Sequence, residues 1–160
     1  MTASSTVRRA GAADLDALVA LRHLMFEAMG TDASTLADPR WREAAYTWFH
    51  ERLADPAVLL VVADLDGEPV SSAVGEVTTL IPGPSCPNGL VGLLSNVATL
   101  PHARGRGLAA ACTDAVLGWF ADRTEVTRVD LFATEEGARI YRSRGFDTSP
   151  FPAMRRTVTR

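Results

Sequence analysis

The sequence predicts a mixed α/β fold: a mostly antiparallel central sheet that contains one parallel strand pair, with helices packed against it. Three observations carry this expectation. Two apolar runs, Ala57 to Ala63 and Pro69 to Ile81, flank Asp66-Gly67, a dipeptide that favours a tight hairpin and so antiparallel pairing. Leu90 to Phe132 reads as strand–helix–strand, a unit whose strands run parallel through a right-handed crossover. The full order is strand, two helices, three strands, helix, strand, helix, strand. It contains no repeat and no linker, so residues 1–160 are expected to form a single domain.

Each element has its own signal. Thr6 to Ala10 is the first strand. Leu15, Leu18, Val19, Met25, Phe26 and Met29 then recur at helical spacing, with Asp14 and Asp16 in the first turn and Gly30 as the stop. Asp38-Pro39 joins an N-cap to a proline at the first helical position. Trp41, Ala45, Trp48, Phe49 and Leu53 give that helix an apolar stripe, expected to be core. Ile81 to Gly89, rich in Pro and Gly, is a loop, and Leu90 to Leu100 is a buried strand that Pro101 ends. Leu108, Cys112, Ala115, Val116, Trp119 and Phe120 form a helical stripe in which Cys112 is expected to be inert core. Val126 to Phe132 is a strand, Glu135 to Arg144 a helix closed by Gly145, and Ala153 to Val158 a final strand.

Composition narrows the function. Hydrophobic residues at 47% and charged residues at 22% are ordinary for a soluble globule. All 16 basic residues are arginine, which removes a Schiff-base lysine, a lysine nucleophile and a P-loop. A net charge of −3 argues against a general nucleic-acid binder. Cys86 and Cys112 cannot build a disulfide scaffold, and His23, His50 and His102 lack zinc-ligand spacing, so no metal is expected. The start lacks the pattern of a signal peptide and no apolar run approaches the roughly 18 residues of a span, so the expected location is cytoplasmic, with no membrane partner. Charge is uneven along the chain. Residues 1–80 hold 6 Arg against 12 acids, a balance of −6, and residues 81–160 hold 10 Arg against 7, a balance of +3. The simplest reading of that split is chance plus solvated faces; the sharper one is an anion site in the second half and a surface tolerant of cations in the first.

The chemistry concentrates in Arg104-Gly105-Arg106-Gly107-Leu108-Ala109, between a strand and a helix. A helix N-terminus presents unpaired amides and partial positive charge, glycine lets backbone approach an anion, and arginine adds forked donors. The combination favours a pyrophosphate. Gly105, Gly107 and Ala110 also satisfy a dinucleotide fingerprint, with Asp130 as the ribose partner. Against it, Pro101 ends the strand four residues before Gly105, and the loop lies past mid-chain with only one strand–helix–strand unit in sight.

The same loop resembles the Gln/Arg-x-x-Gly-x-Gly/Ala motif of the GNAT superfamily of acyl-CoA N-acetyltransferases. Further on, Leu131-Phe132-Ala133-Thr134 leads into Gly137-Ala138-Arg139-Ile140-Tyr141-Arg142-Ser143-Arg144-Gly145-Phe146, similar to the closing helix of that family with its tyrosine four residues before Gly-Phe. The start, Val7 to Ala10 through Asp14 to Leu21-Arg22, also resembles many members. The resemblance implies helices on both faces of the sheet and a parallel pair that splays apart. It implies that Arg104, Gly105, Arg106, Gly107, Leu108 and Ala109 hold the coenzyme A pyrophosphate. Pantetheine would pair with the strand edge at Val97, Ala98 and Thr99, whose amides can also polarise the thioester carbonyl. The helix after Thr134 would lie along the pantetheine arm. Thr134 stands where many members have asparagine, and Gly137 where many have alanine; both changes keep the position small.

Direct transfer to an amine needs a neutral amine, a stabilised oxyanion and a proton for the departing thiolate. Tyr141 matches the family tyrosine that can protonate the sulfur. Leu90 to Leu100 carries no carboxylate, which leaves Glu76 on the neighbouring strand as the candidate base. Ser95 and Asn96 are candidates to orient substrate, with Arg22 and His23 of the first helix as further ones. The expected activity is acetyl transfer from acetyl-CoA to a primary amine of a small molecule, without a metal. The alternatives are a protein or peptide N-acetyltransferase and a non-catalytic acetyl-CoA sensor, and homodimers are common among similar proteins.

Overall fold

The unbroken apolar run of β2 (Val58–Leu65) dictates where that strand must lie. Val58, Leu60 and Val62 join one buried cluster, while Leu59, Val61 and Ala63 join another. Successive side chains of a strand point to opposite faces, so a strand apolar on both needs a helical layer on each side. In the computed structural model, which describes residues 4–159, α1 (Leu15–Ala28) and α3 (Pro39–Arg52) cover one face. The other is covered by α4 (Leu108–Arg123), through Leu108, Cys112, Val116 and Phe120.

The sheet has five strands in chain order. β1 (Ser5–Arg9), β2, β3 (Glu68–Thr79) and β4 (Leu90–Thr99) pair antiparallel, and β5 (Arg128–Asp130) pairs parallel to β4. This is the expected mixed architecture. Asp66 and Gly67 turn β2 into β3 with φ of 52° and 88°, the left-handed pair that a two-residue hairpin demands. The Asp38 carboxylate accepts the Arg40 amide at 2.9 Å and starts α3 with Pro39 in the first turn.

Arg8 ties β1 to its surroundings. Its guanidinium donates to the Asp14 carboxylate at 2.7 and 2.9 Å and to Asp64 of β2 at 2.7 and 3.1 Å. Asp14 is buried just ahead of α1 and also accepts the Gly11 amide at 2.7 Å.

The Phe120 ring lies over the backbone of two strand glycines, Gly75 and Gly92. A Cβ at Gly92 would stand 2.8 Å from its ring, and one at Gly75 would stand 2.6 Å from Val116 and 3.2 Å from Phe120. Helix α4 therefore sits close on the sheet only because both strands lack side chains there. Gly92→Ala is expected to cost about 2 kcal/mol through overpacking, read as a lower urea midpoint, and Phe120→Leu in the same chain should recover part of it. An unchanged midpoint would contradict the close approach.

Four features depart from the sequence expectations. A short helix, α2 (Ala33–Ala37), was not foreseen; Asp32 caps it by accepting the Ser34 and Thr35 amides. The closing helix is α5 (Ala138–Arg142), shorter than Glu135 to Arg144, and β5 is shorter than Val126 to Phe132. Ala153 to Val158 forms no strand, and Met154 and Val158 stand 96% and 76% exposed. Arginine interrupts each face of that segment, Arg155 one and Arg156 the other, so neither offers an apolar stripe to bury. Pro150 and Pro152 remove donors just before it.

Candidate active site

A bulge in β4 organises the site. Ser72 of β3 pairs with Ala98 and Val74 with Ser95, so β4 spends one residue more than β3 between those pairs. Asn96 absorbs the mismatch with φ of 52° and is buried. Its carbonyl accepts from the Ser72 hydroxyl at 2.9 Å, and its side-chain oxygen accepts from the Arg22 guanidinium at 3.3 Å. Beside this irregularity β4 and β5 part company. Their pairing covers only Val91 to Leu93, so the β4 edge from Leu94 to Thr99 has no strand partner on that side among the described residues.

The open edge forms one wall of a cleft of about 470 Å³. Ser95, Asn96, Val97, Ala98 and Thr99 line it, facing Thr134, Gly137, Ile140 and Tyr141 from the α5 side. Its far end is the start of α4, where Arg104, Gly105, Gly107, Leu108 and Ala109 reach the wall. Gly105 and Gly107 take φ of 74° and 75°, which a side chain would strain. No side chain caps the helix, and its first backbone bond runs from the Ala111 amide to Gly107. The amides of Leu108, Ala109 and Ala110 precede that bond, so they are the orphan donors at the positive end of the helix dipole, suited to an anion. The Arg104 guanidinium is held against the Thr99 carbonyl at 3.2 Å. Arg106 alone of the expected loop residues is absent from the cleft wall; it is exposed to solvent.

Thr134 and Gly137 turn out to be coupled. The Thr134 hydroxyl accepts the Gly137 amide at 3.1 Å and its carbonyl accepts the Ala138 amide at 3.0 Å, which starts α5. A Cβ at Gly137 would stand 3.1 Å from that hydroxyl oxygen, so the tight threonine cap and the glycine belong together. Tyr141 follows one turn later, its ring edge-on to Phe146 at a centroid distance of 6.0 Å. Burial pushes its phenol above the ordinary tyrosine range, so it is protonated at neutral pH.

A second cavity, of about 720 Å³, lies between α1, α3 and the sheet. Arg22, Glu76, Ser95 and Asn96 line it, together with Phe26, Trp41, Trp48 and Phe49. The two cavities share Ser95 and Asn96, so they meet at the bulge. Burial pushes the Glu76 carboxyl above its usual range, while the charges of Arg52 and Arg22 pull it back. Arg22 is half-buried, with its guanidinium 4.8 Å from the centre of the Phe26 ring.

The aromatic stripe of α3 is thus only partly core. Phe49 is buried, but Trp41 and Trp48 are half-buried cavity walls, a role their spacing could not reveal. His23 lines neither cavity; it stacks on Trp41 at 6.1 Å and lies 2.8 Å from Arg42, on the outer side of the α1–α3 pair. Cys112 is buried, and desolvation lifts its thiol to about 11, consistent with packing rather than chemistry. The acids of the first half do not converge on the cavity, where Glu76 is the one carboxylate. Asp32 and Asp38 cap helices, and Asp14 and Asp64 bind Arg8. The described residues hold no cluster of His, Cys, Asp and Glu suited to a metal and no helix long and apolar enough to cross a membrane.

Comparison with known proteins places this geometry. The model of the Acetyltransferase (GNAT) family matches residues 18–146. No curated protein matches the sequence. Among solved structures, a GCN5-related N-acetyltransferase from Ralstonia eutropha superposes with a TM-score of 0.85 at 29% identity, over 97% of this chain and 99% of the other. A predicted acetyltransferase from Clostridium acetobutylicum, solved with acetyl-CoA, gives 0.81 at 22% identity, over 95% and 96% of the two chains. An aminoglycoside N-acetyltransferase in complex with CoA gives 0.75 at 18% identity, over 98% and 97%.

Proposed function

This chain belongs to the GNAT family of acetyltransferases, and on that premise we propose that it transfers an acetyl group from acetyl-CoA directly to a primary amine of a small-molecule acceptor. The observation that carries the proposal is the junction at the β4 bulge. There a cleft with an anion-ready helix N-terminus at one end meets a separate cavity that holds a carboxylate. Acetyl-CoA supplies an activated thioester and a thiolate leaving group. The residues present fit it: the amides opening α4 would take the pyrophosphate, and the unpaired edge at Val97, Ala98 and Thr99 would take the pantetheine amides.

In the transfer, the amine nitrogen forms a bond to the carbonyl carbon and the carbon–sulfur bond breaks. Backbone amides of the β4 edge stabilise charge on the carbonyl oxygen. Tyr141 donates its phenolic proton to the departing sulfur and regains one from solvent. Glu76, directly or through a water, accepts the proton that the amine must lose. Burial raises the affinity of Glu76 for protons, which makes it a stronger base than a solvated carboxylate.

The test is release of coenzyme A thiol from acetyl-CoA with a panel of amines, alongside calorimetric binding of acetyl-CoA. Turnover with a small amine is the expected result. Tight binding with no release for any amine would instead favour a sensor. Glu76→Gln is expected to lower kcat/KM by about tenfold at neutral pH and to converge on the parent in alkali, where the amine sheds its own proton. A loss of the same size at every pH would remove Glu76 from proton transfer.

A further inference from the structure

We infer that the cavity between α1 and α3 selects an acceptor bearing a carboxylate and an apolar body beside its amine, that is, an apolar and preferably aromatic α-amino acid. This rests on the transfer reading above and names the substrate class for the same site.

The charges of the cavity argue for it. Of the fifteen residues lining the wall, only Arg22 and Glu76 are charged. A polyamine or an aminoglycoside would need several carboxylates, and would bring its cations beside the desolvated Arg22. Arg22 forms no ion pair among the described residues. It makes one side-chain hydrogen bond, to Asn96, and lies over the face of Phe26. A guanidinium has five donors in a fixed fork, so most of its capacity is unspent. A carboxylate is the group that fork matches, and in a half-buried site the pairing is stronger than in open water.

The rest of the wall sets the body of the acceptor. Trp41, Trp48 and Phe26, backed by the buried Phe49, give apolar surfaces suited to a ring or a branched aliphatic chain. Arg22 and Glu76 line the same cavity without forming an ion pair with each other. One zwitterionic head group, with amine and carboxylate on a single carbon, can therefore engage both. A peptide N-terminus offers the same amine with a neutral amide in place of the carboxylate, and leaves Arg22 unpaired.

The experiment compares L-phenylalanine, L-phenylalaninamide, phenethylamine and spermidine by thiol release. Each is also measured by its shift of thermal unfolding in the presence of coenzyme A. Phenylalanine is expected to exceed the amide in kcat/KM by about thirtyfold. The less basic amine of the amide works against that ratio, so the preference is not an effect of protonation. In Arg22→Met the ratio should fall to near one, and Arg22→Lys should restore part of it. Because a ratio is read, general damage to the site cancels. Equal use of the amide, a preference for spermidine, or an unchanged ratio in Arg22→Met would overturn the inference, as would a panel in which nothing binds or reacts. Selective thermal stabilisation by phenylalanine without thiol release would uphold the binding class and overturn the transfer reading. Rapid acetylation of spermidine would do the reverse.

Discussion

Tyr141→Phe is expected to lower kcat by about 100-fold while acetyl-CoA affinity stays within about threefold. The substitution removes one oxygen and little else. The ring keeps its edge-on contact with Phe146, burial shifts the phenol, and among the described residues it has no hydrogen bond to lose. Thermal stability should therefore barely change, which separates a chemical role from a packing one. A hundredfold corresponds to about 2.7 kcal/mol of transition-state stabilisation, an ordinary value for one positioned proton donor. Burial holds the phenol protonated across the neutral range, so the loss should be the same at pH 7 and pH 9, unlike that of Glu76→Gln. An unchanged kcat would remove Tyr141 from the reaction.

Features written as local chemistry were legible in the sequence. Asp66-Gly67 needs only its own backbone to make a hairpin, and Asp38-Pro39 only its own side chain to start a helix. The loop before α4 was legible for the same reason, since glycines at positive φ and an uncapped helix start are properties of a few adjacent residues. What escaped depends on distant partners. The bulge at Asn96 exists because Ser72 and Arg22 hold its carbonyl and its side chain, and neither is near it in sequence. Its only local hint is that asparagine tolerates positive φ better than most residues.

Trp41 and Trp48 show a different limit. Helical periodicity finds an apolar stripe, but core and cavity wall have the same period, and only the opposing surface distinguishes them. The surplus of acids in the first half shows a related limit. Its members serve the fold as caps and ion partners, so a balance of −6 along residues 1–80 coexists with a cavity holding one carboxylate and one guanidinium. Arg106 carries the motif's charge but is exposed outside the cleft wall, whereas Leu108, Ala109 and Ala110 at the start of α4 reach it. Identity of side chain locates a site here; topology decides which groups enter it.

Asp14→Ala is expected to destabilise the fold by about 3 kcal/mol, at the lower end for breaking a buried ion pair. The lower end applies because Arg8 keeps Asp64 as a partner and is 38% exposed, whereas Asp14 is nearly fully buried. The loss also strands the Gly11 amide and loosens the joint between β1, β2 and the start of α1. The effect carries a pH signature. Hydrogen bonds from Arg8 hold the Asp14 carboxyl below its usual range, against the opposing cost of burial. A carboxyl depressed in the folded state stabilises it above the ordinary aspartate pKa of about 3.9, and that contribution is lost as pH falls through the folded value. Parent and variant should therefore differ most near neutral pH and converge in acid, measured as urea midpoints across that range. Asp14→Asn separates the parts: it can still accept the Gly11 amide but cannot pair with Arg8, so it should fall between the two. Equal midpoints for parent and Asp14→Ala at pH 7 would show that the network tying β1 to α1 contributes nothing to stability.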